Sequence, residues 1–279
     1  MGKQKSKGGV RRPGSTESAN GIREIAERAR REKVGWGWPL FVSFVRLPLA
    51  LLGLGLTYLV FAALGSPHAL ELGYATSTFY FTFVNLICLA LLLWLTRREG
   101  IRPRDLIGFR REYLRRDVLF GVLWFFVLLI PLYAGIVLTA LVVYGGPEAF
   151  ERFQYIFASG ASFEVPLWMV AWGAFVFPLV NAPVEEMHFR GYAQARLVAL
   201  GGRPWIGVLI PALGFGLQHM AFAPTLQGAT FYAVGFFLWG LGAGVIYHKQ
   251  ERLMPMILAH FPSNFVFTFA AFVAALVFR

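Results

Sequence analysis

The sequence predicts an all-α integral membrane protein of about seven transmembrane helices, with six to eight as the range. Three observations predict it. The 279 residues are 57% hydrophobic with a mean hydropathy of +0.58, and charged residues make up only 15%, which is too apolar for a soluble domain of this length. The apolar residues fall into segments each near the length a bilayer requires. Most of those segments are apolar all round rather than alternating, which favours helices over barrel strands.

Taken in order, residues 1–20 are rich in Gly, Ser, Lys and Arg with almost no apolar positions, the composition of a disordered tail. From Ile22 to Lys33 an apolar stripe of Ile22, Ile25, Ala26 and Ala29 faces Arg23, Arg30, Arg31 and Lys33, the pattern of a helix lying on the membrane surface. A solvated linker fits the same residues. The expected spans are 39–64, 76–96, 118–144, 166–186, 205–222, 230–247 and 255–278. Between the second and third, residues 97–116 form a basic loop in which Leu106, Ile107, Phe109 and Tyr113 are placed to dip into the interface. In the sixth span Gly235, Gly240, Gly242 and Gly244 include a G-x-x-x-G spacing, which lets helices approach closely. Three regions follow from this division: a basic cytoplasmic tail (1–36), N-terminal transmembrane helices (37–165) and a C-terminal helical region (166–279).

Charge placement fixes the expected orientation. Of 26 basic residues, 10 lie in 1–36, 8 in 97–116, 3 in 187–204 and 2 in 248–254, whereas the opposite side has Arg152 and Arg279 only. Arg46 lies inside the first span, where it snorkels or pairs within the bundle. The positive-inside rule puts the basic face and the N-terminus in the cytoplasm. The net charge of +11 is then explained by anionic lipid headgroups, and no nucleic-acid partner is needed. The chain belongs in the cytoplasmic membrane of a prokaryote or the endoplasmic reticulum membrane of a eukaryote. Cys88, the only cysteine, lies within the second span; it excludes a disulfide framework and is expected to pack.

The polar residues inside the apolar spans carry the functional signal. Glu185 and Glu186 end the run 166–184, in which Asn181 alone is polar, and charges there are costly. Positions four apart share a helix face, so Glu186 is expected to pair with Arg190, while Glu185, rotated by about 100°, is left available. His219 lies in Phe215-Gly216-Leu217-Gln218-His219. His260 and Asn264, again four apart, are expected to face one point at the cytoplasmic entrance of the last span, level with Glu185. A carboxylate, an imidazole and an amide at one depth supply a base for water and donors for an oxyanion. The expected site is a polar cavity near the cytoplasmic side.

Glu185-Glu186-Met187-His188-Phe189-Arg190 (E-E-x-x-x-R), Phe215 to His219 (F-x-x-x-H) and His260 to Asn264 (H-x-x-x-N), in this order within successive spans, resemble the CAAX-protease and bacteriocin-processing (CPBP) family. Its eukaryotic members are type II CAAX prenyl endopeptidases. The resemblance covers roughly residues 166–270 and makes the C-terminal region the family's catalytic core. It implies an intramembrane endopeptidase in which Glu185 and His219 activate water and His260 and Asn264 stabilise the oxyanion. Glu186 and Arg190 support the site, with Phe215 and His188 beside them. Its partners would be membrane lipids and a peptide or lipidated protein, a prenylated CAAX-like peptide among them.

His188 departs from the apolar residues common between the family's glutamates and arginine, and is expected to line the cavity or reach the interface. Counted from Trp205, His219 lies about 14 residues, or roughly 21 Å of helical rise, from the cytoplasmic end, so either the fifth span starts nearer Ile210 or the cavity is deep. The residues fix no cofactor. Zinc held by Glu185, His219 and His260 is an open alternative, with direct glutamate chemistry preferred. Other intramembrane proteases fit worse: there is no H-E-x-x-H, and the only aspartates, Asp105 and Asp117, flank a cytoplasmic loop. The rival classes are a scaffold or bacteriocin-immunity-type protein without catalysis, and a proton-coupled transporter, which would show paired broken helices in two related halves.

Overall fold

The computed structural model describes residues 34–146 and 165–277, together with Glu27, Arg30, Arg31 and Glu148. The expected disordered tail and most of the expected surface helix at 22–33 lie outside the described residues, as do Arg152 and Arg279. The described residues contain helices and turns and no strand, as the all-round apolar spans predict. Among the described residues six helices are long and apolar enough to cross a membrane, and a bent pair makes up to seven. The chain is a multi-pass integral membrane protein.

The first span is α1 (Gly37–Phe44) running into α2 (Arg46–Ala63). A short α3 (Ala69–Ala75) leads into α4 (Ser77–Arg98), and α5 (Pro103–Ile107) sits in the basic loop. Next comes α6 (Leu114–Leu138), continued by a π-helical turn at Thr139–Val143. The bent pair is α7 (Leu167–Phe175) and α8 (Phe177–Glu186), extended by a π-helical stretch (Met187–Gln194) and α9 (Ala195–Gly201). The last three spans are α10 (Pro204–His219), α11 (Leu226–Gln250) and α12 (Met254–Val277).

Local chemistry sets these boundaries. Gly202 takes a left-handed φ of 64° and ends α9 without a Cβ penalty. Pro204 then opens α10 at a position where its missing N–H costs nothing. The Thr225 hydroxyl accepts from the Gly228 N–H at 3.0 Å and caps α11. The 42° bend between α7 and α8 falls just before Pro178, which can donate no hydrogen bond back to the preceding turn. Gly240 and Gly244 let α11 lie directly on α10, since a Cβ at Gly240 would meet Ala212 Cα at 3.1 Å and one at Gly244 would meet Val208 Cγ1 at 3.0 Å. These glycines pack helices, as their spacing predicts.

The fourth span departs most from its hydropathy. Polar residues from Glu185 onward end the apolar run, yet the helix continues to Gly201, with every residue from Glu185 to Leu197 buried. The run ends because its polar groups turn into protein rather than because the helix leaves the bilayer. The two ends of the bundle also differ. At the arginine-rich end the interior is closed by Ile101, Leu106 and Leu253, all buried. Leu106 is therefore core and does not dip into the interface, whereas Phe109 and Tyr113 remain exposed. Polar ties fasten that end: Arg196 pairs with Glu99, which also accepts from the Tyr192 hydroxyl at 2.8 Å, and Arg252 pairs with Asp117 at 2.5 Å. One bent pair among the described residues does not make the two matched broken helices of a transporter.

Candidate active site

Five spans converge on Glu185, which is 1% exposed. Its Oε1 accepts from Arg46 Nη2 at 2.7 Å and from Gln218 Nε2 at 2.8 Å. Its Oε2 accepts from Asn181 Nδ2 at 3.0 Å, one turn earlier on α8. Arg46, from the start of α2, also donates to Gln218 Oε1 at 2.5 Å and to Asn85 Oδ1 at 2.9 Å, and Asn85 Nδ2 donates to Asn181 Oδ1 at 2.9 Å. The expectation that Glu185 stands unengaged is corrected here. Local spacing offers it no cation, but tertiary packing brings one from the first span, where Arg46 pairs rather than snorkels. A buried carboxylate without such a partner would be costly.

Glu186 meets its expected partner. Arg190 Nη1 donates to Glu186 Oε1 at 3.1 Å, and the guanidinium lies over the rings of Phe215 and Trp239, 4.7 and 5.1 Å from their centroids. His260 Nδ1 lies 2.8 Å from the same Oε1. A carboxylate paired with arginine only accepts, so Nδ1 carries the proton and Nε2 faces Glu185 Oε2 at 3.4 Å. His260 thus bridges the two glutamates, with Phe215 against its ring at 6.0 Å.

A cavity of about 330 Å³ touches this cluster and is lined by Asn181, Glu185, His219 and Asn264 among aromatic and aliphatic side chains. His219, the last residue of α10, donates from Nδ1 to the Phe215 carbonyl at 2.6 Å and stacks on Phe236 with centroids 3.6 Å apart. Its Nε2 is left as the nitrogen with an available lone pair. Asn264 Nδ2 is buried and has no hydrogen-bond partner, an unusual state for an amide donor. Glu185, His219 and Asn264 therefore share one cavity, while His260 does not line it. His188 neither lines the cavity nor reaches the interface: it is fully buried, with Nε2 2.5 Å from the Val42 carbonyl, and holds the π-helical stretch against α1. Since α10 begins at Pro204 and ends at His219, the fifth span does not start near Ile210, and His219 lies a full helix length from the arginine-rich end.

The expected position of the cavity is also corrected. Its walls come from the ends of helices remote from the arginine-rich loops: Thr76 and Ser77 beginning α4, Ile136 near the end of α6, His219 ending α10, Phe231 near the start of α11. The entrance was expected level with Glu185 on the supposition that the fourth span ends there, and that span runs on to Gly201.

Glu185, His219 and His260 are the ligand set of the zinc alternative. Among the described residues no group of three His, Cys, Asp or Glu side chains could hold a metal ion. Glu185 Oε1 already meets the Arg46 guanidinium, and His260 Nδ1 is engaged by Glu186. Sequence reasoning passed over Asn85 and Gln218, noted Asn181 without a role, and expected Arg46 to snorkel or pair without naming its partner. Each carried a usable signal, a polar side chain inside an apolar span.

Residues 166–266 match a family model described as type II CAAX prenyl endopeptidase Rce1-like. Neither the curated proteins nor the solved structures contain a match to the chain. The matched segment holds the helices that carry Glu185, Glu186, Arg190, His219, His260 and Asn264, and leaves Arg46 and Asn85 outside it. With three motifs brought to one buried cluster and a multi-pass helical fold around them, residues 166–266 are similar to the Rce1-like type II CAAX prenyl endopeptidases.

Proposed function

We propose that this chain is an intramembrane endopeptidase that hydrolyses a peptide bond with water activated by Glu185 and His219. The observation that carries the reading is the joint exposure of Glu185, His219 and the unpartnered Asn264 amide to one cavity. The water oxygen attacks the scissile carbonyl carbon, and its proton passes to Glu185 Oε2 or to His219 Nε2, the two acceptors that the surrounding hydrogen bonds leave available. The carbonyl π electrons move to oxygen, which accepts from Asn264 Nδ2. When the tetrahedral species collapses, the C–N bond breaks and the departing nitrogen takes up the transferred proton.

His260 acts differently from Asn264 in this scheme. With its proton at Nδ1 on Glu186, its Nε2 offers only a lone pair to Glu185 Oε2, a poor contact while Glu185 is a carboxylate. Once Glu185 has taken the water proton, that contact becomes a hydrogen bond. An interaction that strengthens as the proton moves favours the transition state over the ground state. Arg46, Asn181 and Gln218 hold the carboxylate in one orientation, which supplies the positioning that such chemistry needs.

The substrate class follows the family resemblance: a membrane-associated peptide, with prenylated CAAX-like peptides the first to try. The test is cleavage of a quenched fluorescent farnesylated CAAX peptide by the purified protein, by Glu185→Gln and by His219→Ala, with and without a chelator. Loss of cleavage in both variants and indifference to the chelator are expected. Unchanged function in Glu185→Gln would sink the protease reading and leave a non-catalytic scaffold.

A further inference from the structure

We infer that the substrate reaches the site from the side of the membrane opposite the arginine-rich loops, so that the natural substrates are peptide segments on the extracytoplasmic side. This rests on the protease reading and names the side from which that site takes its peptide. Two independent features of the molecule point the same way.

The first is where the protein is hollow. Each span that lines the cavity contributes positions displaced toward the same end of the bundle: Thr76 and Ser77 at the start of α4, Leu132 and Ile136 late in α6, and Asn264, Thr268 and Ala271 along α12, which starts from the arginine-rich end. Below Glu185, toward the arginine-rich end, the interior is solid. Glu186, Arg190, Tyr192 and Tyr247 are buried without entering the cavity lining, and Ile101, Leu106 and Leu253 close the end beneath them. A peptide approaching from that end would have to displace the Arg196–Glu99 and Arg252–Asp117 pairs.

The second is the charge asymmetry, which the cavity does not enter. Setting aside the buried Arg46, Arg190 and Arg196, 21 of the 26 basic residues fall in the sequence before Gly37 and in or next to the segments that join helices at the closed end. An excess of that size in short loops sets the closed end in the cytoplasm. The hollow end then faces the other compartment.

Cysteine accessibility tests this without requiring catalysis. Cys88, the only native cysteine, is fully buried and gives a silent background. Leu226→Cys reports the hollow end, Phe109→Cys the arginine-rich end, and Thr268→Cys and Ala271→Cys the cavity; Leu226 and Phe109 are both exposed. In intact spheroplasts of a bacterial host, a charged, membrane-impermeant methanethiosulfonate is expected to modify Leu226→Cys, Thr268→Cys and Ala271→Cys. Phe109→Cys should react only after disruption. Reaction of Phe109→Cys in intact spheroplasts, or of both cavity positions only after disruption, would overturn the inference. The two cavity variants guard against one that misfolds. As a second readout, an impermeant quenched peptide should be cleaved at least tenfold faster by spheroplasts than by sealed inverted vesicles, and the reverse ratio would also overturn it. A peptide cleaved by neither preparation counts against the protease reading alone, and the labelling pattern still decides the side of access.

Discussion

Glu185 and Glu186 are neighbours in the chain and occupy opposite kinds of surroundings. Glu186 is held by Arg190 from its own helix and by His260, and it does not touch the cavity. Glu185 lines the cavity and is held by Arg46, a residue 139 positions away. A rotation of about 100° between consecutive helical residues is enough to send one carboxylate into packed protein and the other to a hollow. Two arginines face two glutamates across the cluster, so four costly charges in an apolar span become two pairs. Both acids are paired with an arginine, so pairing alone does not distinguish the proposed base from its neighbour. What separates them is whether an oxygen of the pair also meets empty space beside a second base.

The sharpest way to break that comparison is to neutralise each acid isosterically. Glu185→Gln should lower kcat for the peptide by roughly 10³- to 10⁴-fold, the upper range for losing a general base. Glu186→Gln keeps a hydrogen-bond acceptor for His260 and should cost no more than about tenfold, through positioning. Single-turnover rates measure both. Equal losses in the two variants would show that the acids act as one unit and would remove the distinction drawn between them.

Next in size is Asn264, the proposed oxyanion donor on the Glu185 side. Asn264→Ala should reduce kcat by about 10²- to 10³-fold with KM nearly unchanged, as loss of a donor made useful only in the transition state does. If KM rose and kcat held, Asn264 would instead be contacting the bound peptide in its ground state.

The two ion pairs also mark what could be read from the chain. Glu186–Arg190 is an i,i+4 pair and followed from spacing alone. Glu185–Arg46 joins the first and fourth spans, and no local rule assigns a partner so distant. The spans themselves were legible because bilayer thickness imposes a length on apolar runs, and the three motifs fell into one cluster as their order in the chain implied. The helix from Glu185 to Gly201 was misread because hydropathy records transfer to lipid, whereas Arg190, Gln194 and Arg196 are buried against protein. That one error moved the expected cavity toward the wrong end. His188 was misplaced for the same reason, since its partner is a backbone carbonyl of α1.

Removing each cation separately gives a stability comparison. Arg46→Met leaves Glu185 buried without its guanidinium, and breaking a buried pair costs about 3–5 kcal/mol. The double variant Arg46→Met with Glu185→Gln removes both charges and should recover most of the thermal stability in detergent while remaining inactive. Arg190→Met should destabilise comparably, and Glu186→Gln should rescue it in the same way. Failure of the double variants to recover would mean that the arginines matter for packing rather than for charge.

The smallest expected effect concerns Asn85, which touches neither substrate nor Glu185. It accepts from Arg46 at 2.9 Å and donates to Asn181 at 2.9 Å, so it ties together two of the groups that orient Glu185. Interhelical hydrogen bonds in membranes average about 0.6 kcal/mol, and Asn85→Ala should therefore leave the midpoint of thermal unfolding lowered by only about 2 °C. If Asn85 positions Arg46, kcat should still fall by about three- to tenfold with KM unchanged, because a small drift of Glu185 acts on the chemical step. Asn85→Asp adds a third carboxylate beside Arg46 and competes directly with Glu185 for it. A kcat loss larger for Asp than for Ala would show that Arg46 holds Glu185 through charge; equal losses would leave Asn85 as a packing residue and nothing more.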